Sequence, residues 1–195
     1  MPQRGIPPPS EQENAMSTPI GLTAGTWVID PAHSTLGFSV RHLMVSKVQG
    51  RFSDFSGELV VNEDGTAHAS VQIKVDSVTT DNDQRDAHLR TADFFKAEEF
   101  PVATFTATGI RPDGEDFTAE GDFTIRGNTK PVKLNVEFLG VDPGMGQGPV
   151  AGFEAKTTIN RRDFGITIDM PLEGGRVVIG DKIELTLAVE VGLKG

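Results

Sequence analysis

The chain has 195 residues, with 18 Lys and Arg against 28 Asp and Glu, and contains no cysteine. That length suits one domain able to bury about 70% of its unfolded surface. The formal charge of −10, with its bases scattered among acids, argues against nucleic acid and anionic lipid surfaces as partners. Lack of cysteine excludes a disulfide framework, a thiolate zinc site and a cysteine nucleophile.

Residues 1–24, MPQRGIPPPSEQENAMSTPIGLTA, are rich in Pro, Glu, Gln and Ser and have no apolar core of a signal peptide. They read as a disordered tail, neither signal nor transit peptide, with Met16 as an alternative start. No apolar run reaches the ~18 residues of a membrane span. The expected location is the cytoplasm, without stable membrane insertion. The folded domain is expected over residues 25–195.

From Gly25 onward the period is two, the signal of half-buried strands. After the bend at Asp30-Pro31, Leu36, Phe38, Val40 and His42 share one face of the first long strand. Phe55, Gly57, Leu59 and Val61 repeat the pattern, and Glu63-Asp64-Gly65 turns the chain. Ala67 to Val75 alternate next; Phe105 and Ala107 then precede an expected turn at Arg111-Pro112-Asp113-Gly114. Phe117 to Ile125 lead to a turn at Arg126-Gly127-Asn128, followed by Val132 to Phe138. A Gly/Pro loop over Val141–Pro149 precedes Phe153 to Ile159, and Ile183 to Val191 give the cleanest alternation. About eight strands with one apolar face each, joined mostly by short turns, predict an all-β, extended eight-stranded antiparallel barrel.

The exception is Asp81 to Phe100, DNDQRDAHLRTADFFKAEEF. Asp81 is expected to cap a helix, with Gln84 completing a capping box, and Pro101 to stop it. A lone helical insertion between barrel strands packs most naturally across one end, as a lid or plug.

Most of the 12 phenylalanines fall on the apolar faces, and there is no tyrosine. These faces can fill a dry core. They can also line a tunnel, because Ala67, Ala69, Ala107, Ala119, Gly121 and Ala155 leave volume inside a barrel wide enough for one ligand. The polar set is Asp30, His33, His42, Asn82, Arg85, Asp86 and His88. It lacks zinc-ligand spacing, a nucleophile motif or a phosphate loop, so neither metal nor cofactor is expected. The structural roles are simple: Asp30 bonds amides around Pro31, His33 fastens the turn, and His42 sits at the rim. Over Asn160–Gly165 a buried Arg–Asp pair is expected to brace the barrel end.

The segments WVIDPAHSTLGFSVRHLMVSKVQGRF, DNDQRDAHLRTADFFKAEEFPVATF, FTIRGNTKPVKL, INRRDFGI and VVIGDKIEL resemble the YceI-like family in order and spacing, from Trp27 to Val191. Gly25-Thr26-Trp27 is also similar to the Gly-x-Trp of lipocalins. The resemblance implies a lipocalin-like barrel, capped at one end by the short helical insertion, that binds a polyisoprenoid or other long-chain amphiphile. It places the tail along Leu36, Phe38 and Val40, with Phe105, Ala107 and Phe123 further along the wall, and Phe94 and Phe95 closing over it. His42, Asn82, Arg85 and His88 become the expected contacts to a quinone or phosphate head. Family proteins are often periplasmic or secreted, whereas this chain shows no export signal and reads as an intracellular carrier or store. A homodimer is compatible with the fold, although nothing in the chain selects it. Two other readings compete. One is an enzyme acting on an apolar substrate, with His33, His42 or His88 converging on Asp30 or Asp86; the other is a ligand-free interaction protein with a packed core.

Overall fold

A computed structural model describes residues 21–169, 171–172 and 176–195. Its strands are β1 (Gly25–Ile29), β2 (Thr35–His42), β3 (Ser46–Phe52), β4 (Phe55–Val61), β5 (Ala67–Lys74), β6 (Val78–Thr79), β7 (Val102–Asp113), β8 (Asp116–Ile125), β9 (Asn128–Asp142), β10 (Val150–Asn160), β11 (Pro171–Leu172), β12 (Arg176–Val177) and β13 (Ile179–Leu193). One helix, α1 (Asp83–Arg90), and two 3-10 turns, Val75–Ser77 and Arg161–Phe164, complete the set.

The strands close into an eight-membered antiparallel ring because three of the members are bent. β13 is long enough to seat β10 along one edge and both β1 and β2 along the other. β1 and β2 are thus one strand interrupted at Asp30–Ser34. β3 and β4 form its neighbour, interrupted at Ser53-Asp54, and β5 continues through the 3-10 turn into β6. Side chains patch the ladder at the interruptions. The Ser34 hydroxyl accepts from Glu190 N at 3.0 Å, and Asp30 N donates to Glu190 O at 2.9 Å. Ser77 Oγ accepts from Asp54 N at 3.0 Å and donates to Lys74 O at 2.7 Å. Unpaired backbone groups inside a sheet are costly, so these serines are what allow the bends.

Several boundaries differ from the sequence expectation. Ser46–Phe52 forms a strand of its own, β3, which the alternation of the sequence does not set apart. β7 runs through Arg111 and Pro112, with Pro112 paired to Phe117, so the turn falls at Gly114-Glu115. Asp81 does not cap α1: the cap is Asn82, whose side chain accepts from Arg85 N, and Asp81 lies in the left-handed region at φ 57°. The helix ends at Arg90, and Thr91–Phe100 continue as turns. Of the expected tail, residues 1–20 lie outside the described residues, and Gly21–Ala24 pack on the barrel. Leu22 is fully buried there, and Trp27 Nε1 donates to Thr23 O at 3.0 Å.

That end of the barrel is sealed. Leu22, Trp27, Val61, Ala151 and Val191 are each nearly inaccessible. At the opposite end α1 and Thr91–Phe100 lie over the rim, tied down where Arg126 donates to Ala92 O at 2.9 Å and also to Gly165 O.

Beside that rim β13 separates from β2. Val40 pairs with Ile183 but His42 pairs with Ile179, so β13 carries two extra residues. Arg161, only 3% exposed, holds this bulge. It donates to Gly180 O at 3.2 Å, to Ile166 O at 2.8 Å and to Ile168 O at 2.9 Å, and its Nη2 pairs with Asp181 at 2.9 Å. The expected bracing arginine is therefore present, but its acids are Asp181 and Asp169 rather than the exposed Asp163 of the same motif. Arg161→Ala orphans these acceptors at once. It is expected to destabilise the fold by roughly 2–4 kcal/mol in urea unfolding; a change below about 0.5 kcal/mol would remove the bracing role.

Candidate functional site

The inward face of the barrel is not filled. On β13 the inward Ile183, Leu185, Leu187 and Val189 are only partly buried, although they alternate with outward Glu184, Thr186, Ala188 and Glu190. Phe52, Leu59, Val71, Phe105, Val136 and Phe153 are in the same state. The cause is a hollow of about 200 Å³. Small residues make the room: Ala69, Ala107, Ala119 and Ala155 all line it, with Leu36, Phe38, Phe105 and Phe123 among the larger ones. Its wall is almost wholly apolar, Glu58 being the one charged side chain among the described lining residues. Phe105 and Phe123 meet edge to face, with ring centroids 6.3 Å apart. A fully packed core, one of the three readings of the sequence, is therefore not what the chain builds.

Phe38 also borders a second cavity, of about 430 Å³, under α1. The lining of this mouth mixes polar and apolar side chains. His42, Asn82, Arg85, His88, Val40 and Phe94 line it, as do Thr80, Gln84, Val178 and Ile179. The expected head-group set is thus gathered in one place, with β2 supplying His42 and α1 and its cap the rest. The expected wall residues Leu36, Phe38, Phe105, Ala107 and Phe123 are gathered in the hollow. Phe95 borders neither space; it packs edge-on against Phe52, at 5.8 Å. Phe94 is buried and meets the His88 ring at 90° and 5.0 Å.

Thr80 is the mouth residue that sequence reasoning missed, and it organises the others. Its hydroxyl donates to Asp86 Oδ1 at 2.5 Å and accepts from Arg85 Nε at 2.7 Å, while its carbonyl accepts from Arg85 Nη2 at 3.0 Å. Asp86, 4% exposed, also accepts from Thr80 N at 2.8 Å and from Thr79 Oγ1 at 3.0 Å. Burial pushes this carboxyl up, but the hydrogen bonds from Thr80 and Thr79 and the charge of Arg90 outweigh it and hold it below the usual carboxylate range. The signal for this network was the pair Thr79-Thr80 just ahead of a helix cap, where hydroxyls commonly hold backbone and acids. Phe52 was equally legible, as the next inward position after Val48 and Gly50. Gly50 lies beneath Phe38: a Cβ there would stand 2.3 Å from its ring.

Asp30 and His33 lie elsewhere, exposed on the outer surface at the β1–β2 bend. Asp30 accepts from Ala32 N at 2.8 Å, and its other oxygen meets His33 Nδ1 at 2.8 Å. His33, with Glu190 also 3.6 Å away, is raised above its ordinary value chiefly by the Asp30 hydrogen bond, and Asp30 is lowered by the same bond. Both serve the turn, and neither faces the hollow. The convergence that an enzyme reading requires is not formed: His42 and His88 share the mouth, but His33 is outside with Asp30, His88 pairs with Asp93 at 2.9 Å, and both Asp86 oxygens are taken by threonines.

A closed, hollow, eight-stranded antiparallel barrel with a short helix over one rim is of lipocalin-like type. Within that class the chain belongs to the YceI-like family, whose domain pattern matches residues 27–191. A UPF0312 protein of Photorhabdus laumondii is 36% identical over 169 residues, spanning 78% of this chain and 88% of the relative. The crystal structure of a Campylobacter jejuni YCEI protein is similar at TM-score 0.68 and 34% identity, covering 80% of this chain and 90% of that one. A polyisoprenoid binding domain from Saccharophagus degradans, implicated in plant cell wall breakdown, shares the fold at TM-score 0.62 and 19% identity, with 86% and 98% covered. No helix among the described residues is long and apolar enough to cross a membrane.

Two outcomes follow from this geometry. Because the folded His33 value lies above 6.5, the stability its pair contributes is full below pH 6.5 and fades as pH rises through the folded value. An NMR titration should place the His33 midpoint above 6.5 and return it toward 6.5 in Asp30→Asn; an unshifted wild-type midpoint would refute the pairing. Gly50→Ala should drive the Phe38 ring into the space it borders. Xenon or small-hydrocarbon uptake by the hollow, followed by NMR, should fall by at least about half; unchanged uptake would show that the ring has room to turn aside.

Proposed function

We propose that this protein is a non-enzymatic carrier of a polyisoprenoid or similar long-chain amphiphile. The single observation that carries the reading is the apolar hollow whose inward side chains stay half-covered along the barrel axis. The tail lies against Leu36, Phe38, Phe105, Ala107 and Phe123, and Val40 and Phe94 guide it at the mouth. The head, a quinone ring or a phosphate, rests among His42, Asn82, Arg85 and His88. The polyisoprenoid binding described for the Saccharophagus degradans domain, which shares this fold, supports the same class of ligand.

The energetics favour such a cargo. Removing an isoprene chain from water gains about 0.8 kcal/mol per buried CH₂-sized group, without directional contacts. Discrimination then comes from the length of the hollow and from a few polar groups at its opening, so affinity tolerates a change of tail chemistry better than a change of tail length.

Organic extracts of the protein purified from cells should yield a long apolar molecule by mass spectrometry. Ala107→Trp, which puts an indole into the hollow between Ala69 and Gly121, should lower recovery at least ten-fold while the circular dichroism spectrum stays that of a barrel. Extracts with no lipid from the wild type, or equal recovery from the variant, would overturn the reading.

A further inference from the structure

The mouth inverts the charge of the molecule. The chain as a whole carries −10, yet the described residues lining this cavity include Arg85, His42 and His88, three neutral polar side chains, and no carboxylate, while Arg41, which also borders it, alternates to the outer face of β2 toward Glu184. Solvated surfaces of an acidic protein do not shed their acids around one opening by default, and a concave site of one sign concentrates ions of the other.

Arg85 is the fixed part of this arrangement. Two of its nitrogens are engaged by Thr80, so the guanidinium is held in one orientation, while Nη1 has no protein partner among the described residues. Apart from Asp83, exposed in the first turn of α1, nearby acids are already occupied. Asp86 spends both oxygens on Thr79 and Thr80, Asp93 takes His88 Nε2, Asp81 pairs with Arg51 at 3.0 Å, and Glu184 pairs with Lys47 at 2.6 Å. Asn82 uses its carbonyl oxygen on Arg85 N, which leaves its NH₂ as donor. What remains at the mouth is a set of N–H donors around an immobilised cation. Such a set suits the oxygens of an anion and offers less to a neutral alcohol or quinone, because hydrogen bonds to charged acceptors are about twice as strong as neutral ones.

We infer that the mouth selects amphiphiles with an anionic head, phosphate or carboxylate, over neutral ones of the same tail. This rests on the carrier reading above and narrows it. Arg85 is the principal contact, Thr80 and Asp86 position it, and Asn82 and His42 complete the donor set.

The test holds the tail constant and varies the head. Delipidated full-length protein is titrated by calorimetry with geranylgeranyl phosphate, geranylgeranoic acid and geranylgeraniol. Both anions should bind about ten-fold more tightly than the alcohol at low salt, and the phosphate–carboxylate difference tells which anion fits. Raising NaCl from about 20 mM to about 500 mM should shrink the advantage. Arg85→Gln, checked for folding by its thermal melt, should bring the anionic and neutral affinities within about two-fold of each other, and His42→Gln should narrow the gap by a smaller factor. Equal binding of all three heads overturns this inference and leaves the carrier standing. Failure of all three to bind overturns both. An advantage that survives Arg85→Gln undiminished overturns the assignment to this mouth.

Discussion

The architecture depends on one seam. Among the described strands β13 is the only one that pairs with three others, and without its double seating of β1 and β2 the ring would be an open sheet with two exposed edges. Closure fixes which side chains face inward, because the side-chain period is two and a one-residue slip would turn Leu185 and Leu187 out to solvent. It also fixes where the barrel can open. The seam is complete beside Trp27 and incomplete beside His42, where two extra residues of β13 bow away under the hold of Arg161. One strand thus makes both the sealed end and the mouth.

Much of this was legible in the sequence. The alternation of Phe38, Val40 and His42, or of Ile183 to Val191, states which residues point inward, since a half-buried antiparallel strand admits little else. The helical insertion stood out by the loss of that alternation between Asp81 and Phe100. The gathering of His42 with Asn82, Arg85 and His88 rested on likeness to a family, not on spacing, because the residues lie forty positions apart and meet only once the ring has closed. What could not be read were the places where side chains substitute for backbone. Ser34 and Ser77 look like ordinary turn residues until the interrupted ladders they bridge are seen. Asp81 rather than Asn82 looked like the helix cap because both residue types suit the position; the left-handed backbone at Asp81 decided it.

Two kinds of polar residue share this barrel and do different work. Asp30 and His33 form an exposed pair that secures a bend, and their mutual pKa shifts report no more than that pairing. Thr80, Arg85 and Asp86 form a chain in which a buried acid fixes a hydroxyl and the hydroxyl fixes a cation at the edge of a cavity. A carboxyl held below its ordinary range is therefore present in each, and only the second borders open space. Position relative to the hollow separates the roles, where titration alone would not.

The half-covered inward side chains have a thermodynamic consequence of their own. Apolar groups that face a hollow lack the close neighbours that supply dispersion contacts in an ordinary core, so the barrel wall holds in reserve part of the stability its composition could provide. A molecule filling that space restores the missing contacts and raises the unfolding free energy by mass action, by about 2.7 kcal/mol at a hundred-fold excess over its dissociation constant. Folding and occupancy are then a single linked equilibrium, and the melting temperature of this chain becomes a gauge of how full it is.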